Sequence, residues 1–268
     1  MTRARKRAAR YRLDDLRRCA TALGAGVGLA SDPATALATH LLWFDAAGAA
    51  RHGIGSLPGW LERIERREID PGVEGKIGPE HAATAVLDGQ GGLGPWILAR
   101  AAGVAAAKAR DAGVGLVRVT GLGPSGPAAP IVAELAIGPQ IGLVLGPLPH
   151  QALALPTAEG LPLVIDSALD EGFGGSIGPL SGLNAAGPAI DVVAVAVTAL
   201  EALTTFHERL GATTKVLDEA HGRLLPGPWE ERRREARERG VSLDAEALAG
   251  LRRWAERLGV EPPAPWTA

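Results

Sequence analysis

The segment from residue 82 to residue 120 constrains the fold more than any other part of this chain. It begins with a short apolar run, AATAVL (82–87), that predicts a strand. The glycine-rich stretch DGQGGLG leads into an alanine-rich helix over about residues 95–112, and VGLVRVT (114–120) predicts a second strand. Strands that alternate with helices in this way place the chain in the α/β or α+β class.

Further apolar segments extend this alternation. IGLVL predicts a third strand, and LALPT (153–157) with LPLVID (161–166) predicts a hairpin. Residues 170–188 are rich in glycine, proline and serine and predict a loop. Residues 189–206 are apolar on nearly every side, which predicts a buried helix.

Both ends of the chain are predicted to be helical. A helix near the N-terminus has one apolar face, and a second helix begins with Asp32 as its N-cap and Pro33 in its first turn. Near the C-terminus, a charged helix ends at Gly240 and an amphipathic helix begins at Ser242. The apolar positions of the outer two helices are Leu13, Leu16, Ala20, Leu23, Leu248, Leu251, Trp254 and Leu258.

Composition excludes several classes of protein. The chain has 268 residues, a net charge of −2 and a pI near 6.3, so we expect neither nucleic acid nor an anionic membrane as a partner. Residues 1–11 are expected to form a disordered basic arm. No apolar core follows them, so they are not expected to be a secretory signal. Cys19 is the single cysteine, which excludes an internal disulfide and a cysteine-based metal cluster. We expect a soluble, cytoplasmic protein.

Two glycine motifs suggest a function, but each has a plainer alternative. GQGGLG (89–94) satisfies the dinucleotide-binding pattern G-x-G-x-x-G. That pattern also requires an acidic residue on the next strand, and VGLVRVT has none, so a plain strand-to-helix turn is the better interpretation. GGSIG (174–178) satisfies the hydrolase pattern G-x-S-x-G, but no helix directly follows Ser176.

The histidines include one candidate for proton transfer. No pair has the H-x-x-x-H spacing of a metal site. His40 lies within a predicted helix as a structural or surface residue, and His150 lies in a loop that could line a pocket but is more simply a surface loop. His52 follows a helix in the glycine-flanked loop AARHGIGSLPGW (49–60). Glycines let a ligand approach the backbone, and an imidazole exchanges protons near neutral pH.

Four segments follow the motif order of one known family. DAAGAARHGIGSLP carries an aspartate, a glycine, His-Gly and Leu-Pro at the family's spacing, with Asp45, Gly48 and His52 in place. LDGQGGLG matches an Asp-Gly strand turn, and LPLVIDSA places Asp166 on the aspartate of a Val-Leu-Asp-Met-Ala segment. LLPGPWEERRREARERGVSL matches a Pro-Gly-Glu-Arg ending. Over most of its length the chain therefore resembles the malate/L-lactate dehydrogenase family.

The resemblance implies a fold and an activity. The implied fold is a mixed, largely antiparallel sheet with flanking helices, not a Rossmann fold, in a protein that forms dimers. The implied activity is hydride transfer between NAD or NADP and a 2-oxo, 2-hydroxy or cyclic 2-imino acid. His52 is then a proton donor or a substrate ligand. Arg51, in place of the family's serine, would bind the substrate carboxylate or be a solvated surface residue. Asp166 and Gly182 are assigned to the cofactor.

The chain departs from the family pattern where the chemistry is expected. Ser125, in TGLGPSGPAAP, takes the place of the family's second histidine, and a hydroxyl can bind substrate but cannot replace an imidazole in proton transfer. Leu183 and Asn184, in SGLNAAG, stand where the family has histidine and lysine. A cofactor would then be held by Asn184 and partly by backbone N–H groups of the glycine-rich loops near residues 121–127 and 172–182.

Three interpretations remain open. The first is a divergent NAD(P)-linked oxidoreductase that forms homodimers. The second is a cofactor-free pseudo-enzyme, a non-redox enzyme or a partner subunit. The third is a hetero-oligomer in which a homologous chain supplies the missing histidine and lysine. In each case we expect residues 12–113 and 207–268 to form a helical, substrate-side and dimerisation unit, and residues 114–206 to form a shortened cofactor-type domain.

Overall fold

The computed structural model describes residues 9–147, 150–169, 189–221 and 228–266. Within them lie eight α-helices: α1 (Leu13–Gly26), α2 (Ser31–Ala47), α3 (Leu57–Glu65), α4 (Gly94–Ala112), α5 (Ala129–Leu135), α6 (Leu203–His221), α7 (Pro228–Arg239) and α8 (Ala245–Leu258). The same residues form nine strands: β1 (Arg10–Tyr11), β2 (Lys76–Glu80), β3 (Thr84–Asp88), β4 (Val114–Thr120), β5 (Gln140–Leu145), β6 (Gln151–Leu155), β7 (Leu163–Asp166), β8 (Ile190–Ala196) and β9 (Val241–Ser242).

The chain divides into two compact units. Unit 1 consists of Met1–Glu68 and Glu231–Ala268, and unit 2 consists of Ile69–Glu230. The expected division at residues 113/114 and 206/207 therefore differs from the observed one. The reason is that β2, β3 and α4 belong to the sheet of unit 2, and α6 also packs on that sheet.

Unit 2 is built on a seven-stranded sheet with the strand order β2-β3-β4-β8-β5-β6-β7. Only β3 and β4 run parallel among the paired strands, and every other pair is antiparallel. The mixed, largely antiparallel sheet is thus confirmed, as is the hairpin of β6 and β7. Helices α4 and α5 cover one face of the sheet, where Val117, Val144 and Val192 are fully buried. On the other face, Leu210 of α6 packs against Leu163 and Ile165.

Residues 189–206 do not form the predicted helix. Ile190–Ala196 is strand β8, which pairs with both β4 and β5 near the middle of the sheet. A 3-10 turn, Val197–Ala199, follows, and α6 begins only at Leu203. A strand enclosed by neighbours shows a continuous apolar run, so periodicity alone does not separate it from a buried helix. Its β-branched residues favour the strand.

The helices of unit 1 come from both ends of the chain. The apolar face of α1 is confirmed, since Leu16, Ala20 and Leu23 are buried. In α8, Leu251 and Trp254 are buried, whereas the two outer leucines of the predicted stripe are half-buried. Strand β1 pairs antiparallel with β9 and buries Tyr11. The end of the predicted disordered arm is therefore an ordered strand, while residues 1–8 lie outside the described residues.

Two predicted helix caps lie elsewhere. Helix α2 begins at Ser31, so Asp32 is in its first turn and Ala30 is the N-cap residue. Ser242 belongs to β9, and α8 is capped by Asp244, whose Oδ1 accepts a hydrogen bond of 2.7 Å from the N–H of Ala247. Serine and aspartate are equally good N-caps, so the sequence did not distinguish two candidates this close together.

Candidate functional site

The His52 turn connects α2 to α3 in unit 1. Gly48, with φ of +82°, ends α2, and two 3-10 turns, Ala50–His52 and Ile54–Ser56, follow. The Oδ2 atom of Asp45 accepts a hydrogen bond of 2.6 Å from the N–H of Ile54. A Cβ atom at Gly53 would overlap the Asp45 carboxylate, so only glycine fits there. Asp45 therefore sets the backbone directly after His52.

The His52 side chain is half-buried and contacts two neighbours. Its ring centroid lies 5.5 Å from that of Phe44, and the Nε of Arg51 donates a hydrogen bond of 2.9 Å to its Nε2. Burial lowers the pKa of His52, and the charge of Arg51 lowers it further. Both effects favour the neutral imidazole. The predicted neighbours Arg51 and His52 are therefore brought into direct contact.

Asp45 is also a titratable group with an altered environment. Burial raises its pKa to about 7, the Ile54 N–H opposes this rise, and the charge of Asp244 adds to it. A carboxyl group whose pKa is raised to near neutral pH is a frequent feature of functional sites. The sequence placed Asp45 in the family motif but did not identify its carboxyl group as titratable at neutral pH.

His40 lies inside unit 1, one helical turn before Phe44. It is 4% exposed, which confirms a structural residue and excludes the surface alternative. Burial lowers its pKa to about 3, with a further contribution from His52. Neither of its ring nitrogens has a hydrogen-bond partner among the residues that the structure describes. Its ring also packs against Phe44, at 5.3 Å between centroids.

Ser125 and Asp166 lie in unit 2 and are both buried. Ser125 Oγ lies 3.4 Å from the carbonyl oxygen of Gly126, in the loop between β4 and α5. Asp166 Oδ2 accepts a hydrogen bond of 2.6 Å from the N–H of Ala129, and its Oδ1 accepts one of 2.8 Å from the N–H of Ala168. Asp166 thus anchors the end of the loop that carries Ser125.

That loop carries backbone donors. The N–H groups of Leu122, Gly123, Ser125 and Gly126 donate no hydrogen bond to the described part of the chain. Several backbone N–H groups in one short loop can bind an anionic group such as a phosphate. That the loop near residues 121–127 holds a cofactor through such donors stays a prediction.

The GQGGLG segment has a packing role. The N–H groups of Gly91 and Gly94 donate to the carbonyls of Gly121 and Pro124, at 2.7 and 3.0 Å. A Cβ at Gly94 would overlap the backbone of Ser125. These glycines therefore bring two loops together, and the two N–H groups are already engaged. The strand-to-helix turn accounts for this segment.

His150 differs from its simplest sequence interpretation. Its side chain is half-buried, and its Nδ1 is buried without a hydrogen-bond partner among the described residues. Burial lowers its pKa, while a hydrogen bond with the Gly126 backbone opposes this effect. The ring therefore packs against the loop that carries Ser125. The sequence signal for this position was only a histidine after a proline-rich turn.

Some predicted residues cannot be placed. Ser176, Gly182, Leu183 and Asn184 lie outside the described residues, as does the whole of the predicted loop 170–188. The described residues contain no group of three or more His, Cys, Asp or Glu side chains that could hold a metal ion. Among the described helices, none has the length and apolar character needed to cross a membrane.

Two surface grooves are lined by residues other than the predicted site residues. In unit 2, a groove of about 710 Å³ is lined by α4, α5 and the start of β5. In unit 1, a groove of about 370 Å³ between α3 and α8 is lined by charged side chains and Trp254. Among the described residues, none that is predicted to act in binding or catalysis lines either groove.

Comparison with known sequences identifies related proteins. Residues 11–159 match the family model described as malate/L-lactate dehydrogenase, and this range includes His52 and Ser125. A segment of 73 residues is 40% identical to L-sulfolactate dehydrogenase from Methanocaldococcus jannaschii. The segment covers 27% of this chain and 21% of that relative, so the chain matches about a fifth of the curated relative's length.

Solved structures share the fold over nearly the whole chain. Malate dehydrogenase from Entamoeba histolytica has a TM-score of 0.80 and 17% identity, and the match covers 95% of this chain and 99% of that one. Delta1-piperideine-2-carboxylate reductase from Pseudomonas syringae pvar. tomato has a TM-score of 0.74 and 17% identity, with 92% and 99% covered. At these identities the likeness establishes the fold alone.

Proposed function

This chain belongs to the malate/L-lactate dehydrogenase family, and from that premise we propose that it is an oxidoreductase. Its proposed reaction is hydride transfer between NAD or NADP and a small 2-oxo, 2-hydroxy or cyclic 2-imino acid. Related proteins named for malate, L-sulfolactate and piperideine-2-carboxylate support this range of substrates. All of these compounds carry a carboxylate next to the carbon that accepts or gives up the hydride.

The observation that carries the proposal is the geometry of the His52 turn. Asp45 and Gly53 fix the backbone on one side of His52, and Phe44 and Arg51 contact its ring. A histidine held in this way can interact with the oxygen or nitrogen of the group that is reduced. In the proposal, His52 contacts the reacting group and Arg51 lies beside it.

A nicotinamide dinucleotide fits the donor set of the loop between β4 and α5. The N–H groups of Leu122, Gly123, Ser125 and Gly126 would hold anionic oxygens of the cofactor, and Asp166 would keep that loop in place. Asn184 and Gly182 are further proposed contacts by resemblance. When bound, the cofactor supplies or accepts the hydride.

Titration with NADH and with NADPH tests the proposal first. Binding is followed by nicotinamide fluorescence and checked by calorimetry, and we expect saturation in the micromolar range. Turnover is then measured with oxaloacetate, pyruvate, sulfopyruvate and Δ1-piperideine-2-carboxylate. We expect His52→Ala to lower kcat/KM at least about 10²-fold, as loss of a donor to the reacting oxygen does in other enzymes.

Absence of cofactor binding would contradict the proposal. If neither cofactor binds at millimolar concentration, this chain does not act alone as an oxidoreductase. The cofactor-free interpretation, or a hetero-oligomer with a homologous chain, would then take its place. Light scattering on the purified protein measures its molar mass, and we expect the mass of a dimer.

A further inference from the structure

In the hydrogen bond between Arg51 and His52, Arg51 is the donor and His52 is the acceptor. The Nε of Arg51 is always protonated and donates to Nε2 of His52 at 2.9 Å. A ring nitrogen that accepts a hydrogen bond carries no proton, so the proton of the neutral ring lies on Nδ1. The contact thus selects one tautomer of His52, with an accepting Nε2 and a donating Nδ1–H.

The surroundings of His52 also oppose a second proton. Arg51 places a positive charge next to the ring, and the apolar ring of Phe44 packs against it. His40, the other titratable group packed on Phe44, is buried and neutral. The Asp45 carboxyl group faces the backbone of Gly53 and Ile54, directly after His52, and the charge of Asp244 of α8 acts on it.

We propose that Arg51 is a positioning residue that keeps His52 as a neutral imidazole, so that His52 acts through its Nδ1–H as a hydrogen-bond donor to the carbonyl oxygen of a 2-oxo acid. This inference rests on the proposed function and assigns His52 a different role from that of a proton donor. Arg51 then serves the reaction through His52, and binding of the substrate carboxylate is not its primary role.

The proton balance of the reaction follows from this role. In the reduction, the carbonyl carbon would accept the hydride that a bound reduced nicotinamide dinucleotide would supply, and the electron pair of the C=O double bond would move to oxygen. The Nδ1–H of His52 donates to that oxygen throughout and keeps its proton, because its loss would leave an imidazolate. The alkoxide takes its proton from water, and hydroxide is released to the solvent.

Nuclear magnetic resonance tests the tautomer without any turnover. In uniformly 15N-labelled protein at pH 7, we expect His52 to have a protonated Nδ1 and an unprotonated Nε2. In Arg51→Ser we expect the pKa of His52 to rise and the fixed tautomer to be lost. Arg51→Lys keeps the charge without the Nε donor, so it should lose the tautomer but keep part of the lowered pKa. Arg252→Ser, on the exposed side of α8, is the matched control and should change neither.

The pH profile of kcat/KM for reduction separates the two roles of His52. For a neutral donor, kcat/KM falls only at acid pH, and Arg51→Ser moves this acid limb to higher pH. For an imidazolium acid, kcat/KM falls as the pH rises, and Arg51→Ser extends activity to higher pH. Because Asp45 titrates near pH 7, both profiles are repeated with Asp45→Asn.

Two results would overturn the inference. One is a wild-type His52 that is protonated on both nitrogens at pH 7, and the other is a profile of the imidazolium type. Neither result affects whether NADH or NADPH binds, so the inference can fail while the oxidoreductase assignment stands. Conversely, absence of cofactor binding would leave the resonance result on the tautomer unchanged.

Discussion

Asp45 is the residue that links the stability of the protein to the geometry of its histidine. Its pKa is raised from 3.8 to about 7 by burial, so between these values the folded protein holds a proton that the unfolded chain has released. The corresponding stability is present at low pH and is lost as the pH rises through about 7.

We therefore predict that Asp45→Asn changes the pH dependence of unfolding. The amide oxygen can still accept from the Ile54 N–H, but the titration is gone. From pH 5 to pH 8 the wild type should lose about 2 to 3 kcal/mol relative to the variant. Urea denaturation at both pH values measures this difference. An equal change in the two proteins would show that Asp45 does not titrate in this range.

The sequence predicts where His52 lies but not its hydrogen bonding or its protonation. The resemblance in DAAGAARHGIGSLP located the histidine and its aspartate. The hydrogen bond from Arg51 depends on a side-chain rotamer, and the pKa of Asp45 depends on burial by neighbouring elements. Neither property is encoded in the spacing of residues, which is why the contact between the two predicted neighbours emerged only from the structure.

At the scale of elements, the start of α8 offers a direct comparison of two caps. Asp244 accepts the N–H of Ala247, while the predicted cap Ser242 lies in β9. Asp244→Ala should lower the free energy of unfolding by about 1 kcal/mol, the usual cost of losing an N-cap. Ser242→Ala is the matched control and should have a smaller effect in thermal unfolding. If Ser242→Ala were the more destabilising of the two variants, Ser242 would be the N-cap of α8 as the sequence predicts.

A second prediction concerns the element that carries Ser125. Asp166→Ala leaves the Ala129 N–H at the start of α5 buried without its acceptor, which should destabilise unit 2 by about 1 to 3 kcal/mol. It should also weaken NADH or NADPH binding, since the loop before α5 loses its anchor. Asp166→Asn keeps one acceptor oxygen and should fall between the two proteins. Unchanged cofactor affinity in Asp166→Ala would remove the loop from the cofactor site.

The strands show where local sequence suffices for prediction. β4 matches its predicted range, residues 114–120, because alternation and β-branched residues agree. β8 was predicted as a helix, since a strand near the middle of the sheet has a nearly continuous apolar run. Its identity is settled by pairing with β4 and β5, which are distant in sequence. Local patterns do not contain that information.

At the scale of the whole molecule, His40 and Asp45 give opposite pH dependences. The pKa of His40 is lowered from 6.5 to about 3, so the unfolded chain binds a proton that the folded protein does not. Stability from this burial is present above pH 6.5 and is lost as the pH falls. Between about pH 4 and pH 6.5 the two residues therefore oppose each other, and the wild type should show a shallow pH dependence.

Replacement of His40 should reveal this balance. His40→Leu removes the unfavourable contribution at acid pH, so relative to wild type it should gain about 2 kcal/mol of stability between pH 7 and pH 5. Denaturant unfolding across this range measures the gain. His81→Leu, at an exposed position in unit 2, is the control and should show no comparable change. If the stability of His40→Leu changed with pH in the same way as that of the wild type, His40 would not be a buried, neutral histidine.

The overall architecture was within reach of the resemblance, but the unit boundaries were not. The mixed sheet followed from the family motifs. The boundary at Ile69 depends on β2 and β3 joining the sheet. Strand β2 has only one half-buried apolar residue, so its sequence shows no pattern that predicts a strand. The resemblance predicts both His52 and Ser125 as site residues, and it does not show that the first belongs to unit 1 and the second to unit 2.

The pairing of β1 with β9 has a consequence for protein synthesis. Unit 2 is one continuous stretch of chain, so it is translated between the two segments of unit 1. Unit 1 needs β9 and α8, which follow unit 2 in the chain, to complete the core begun by α1 and α2. The segment that carries His52 is therefore translated before unit 2, but it packs against α8 only after the whole of unit 2 has been translated.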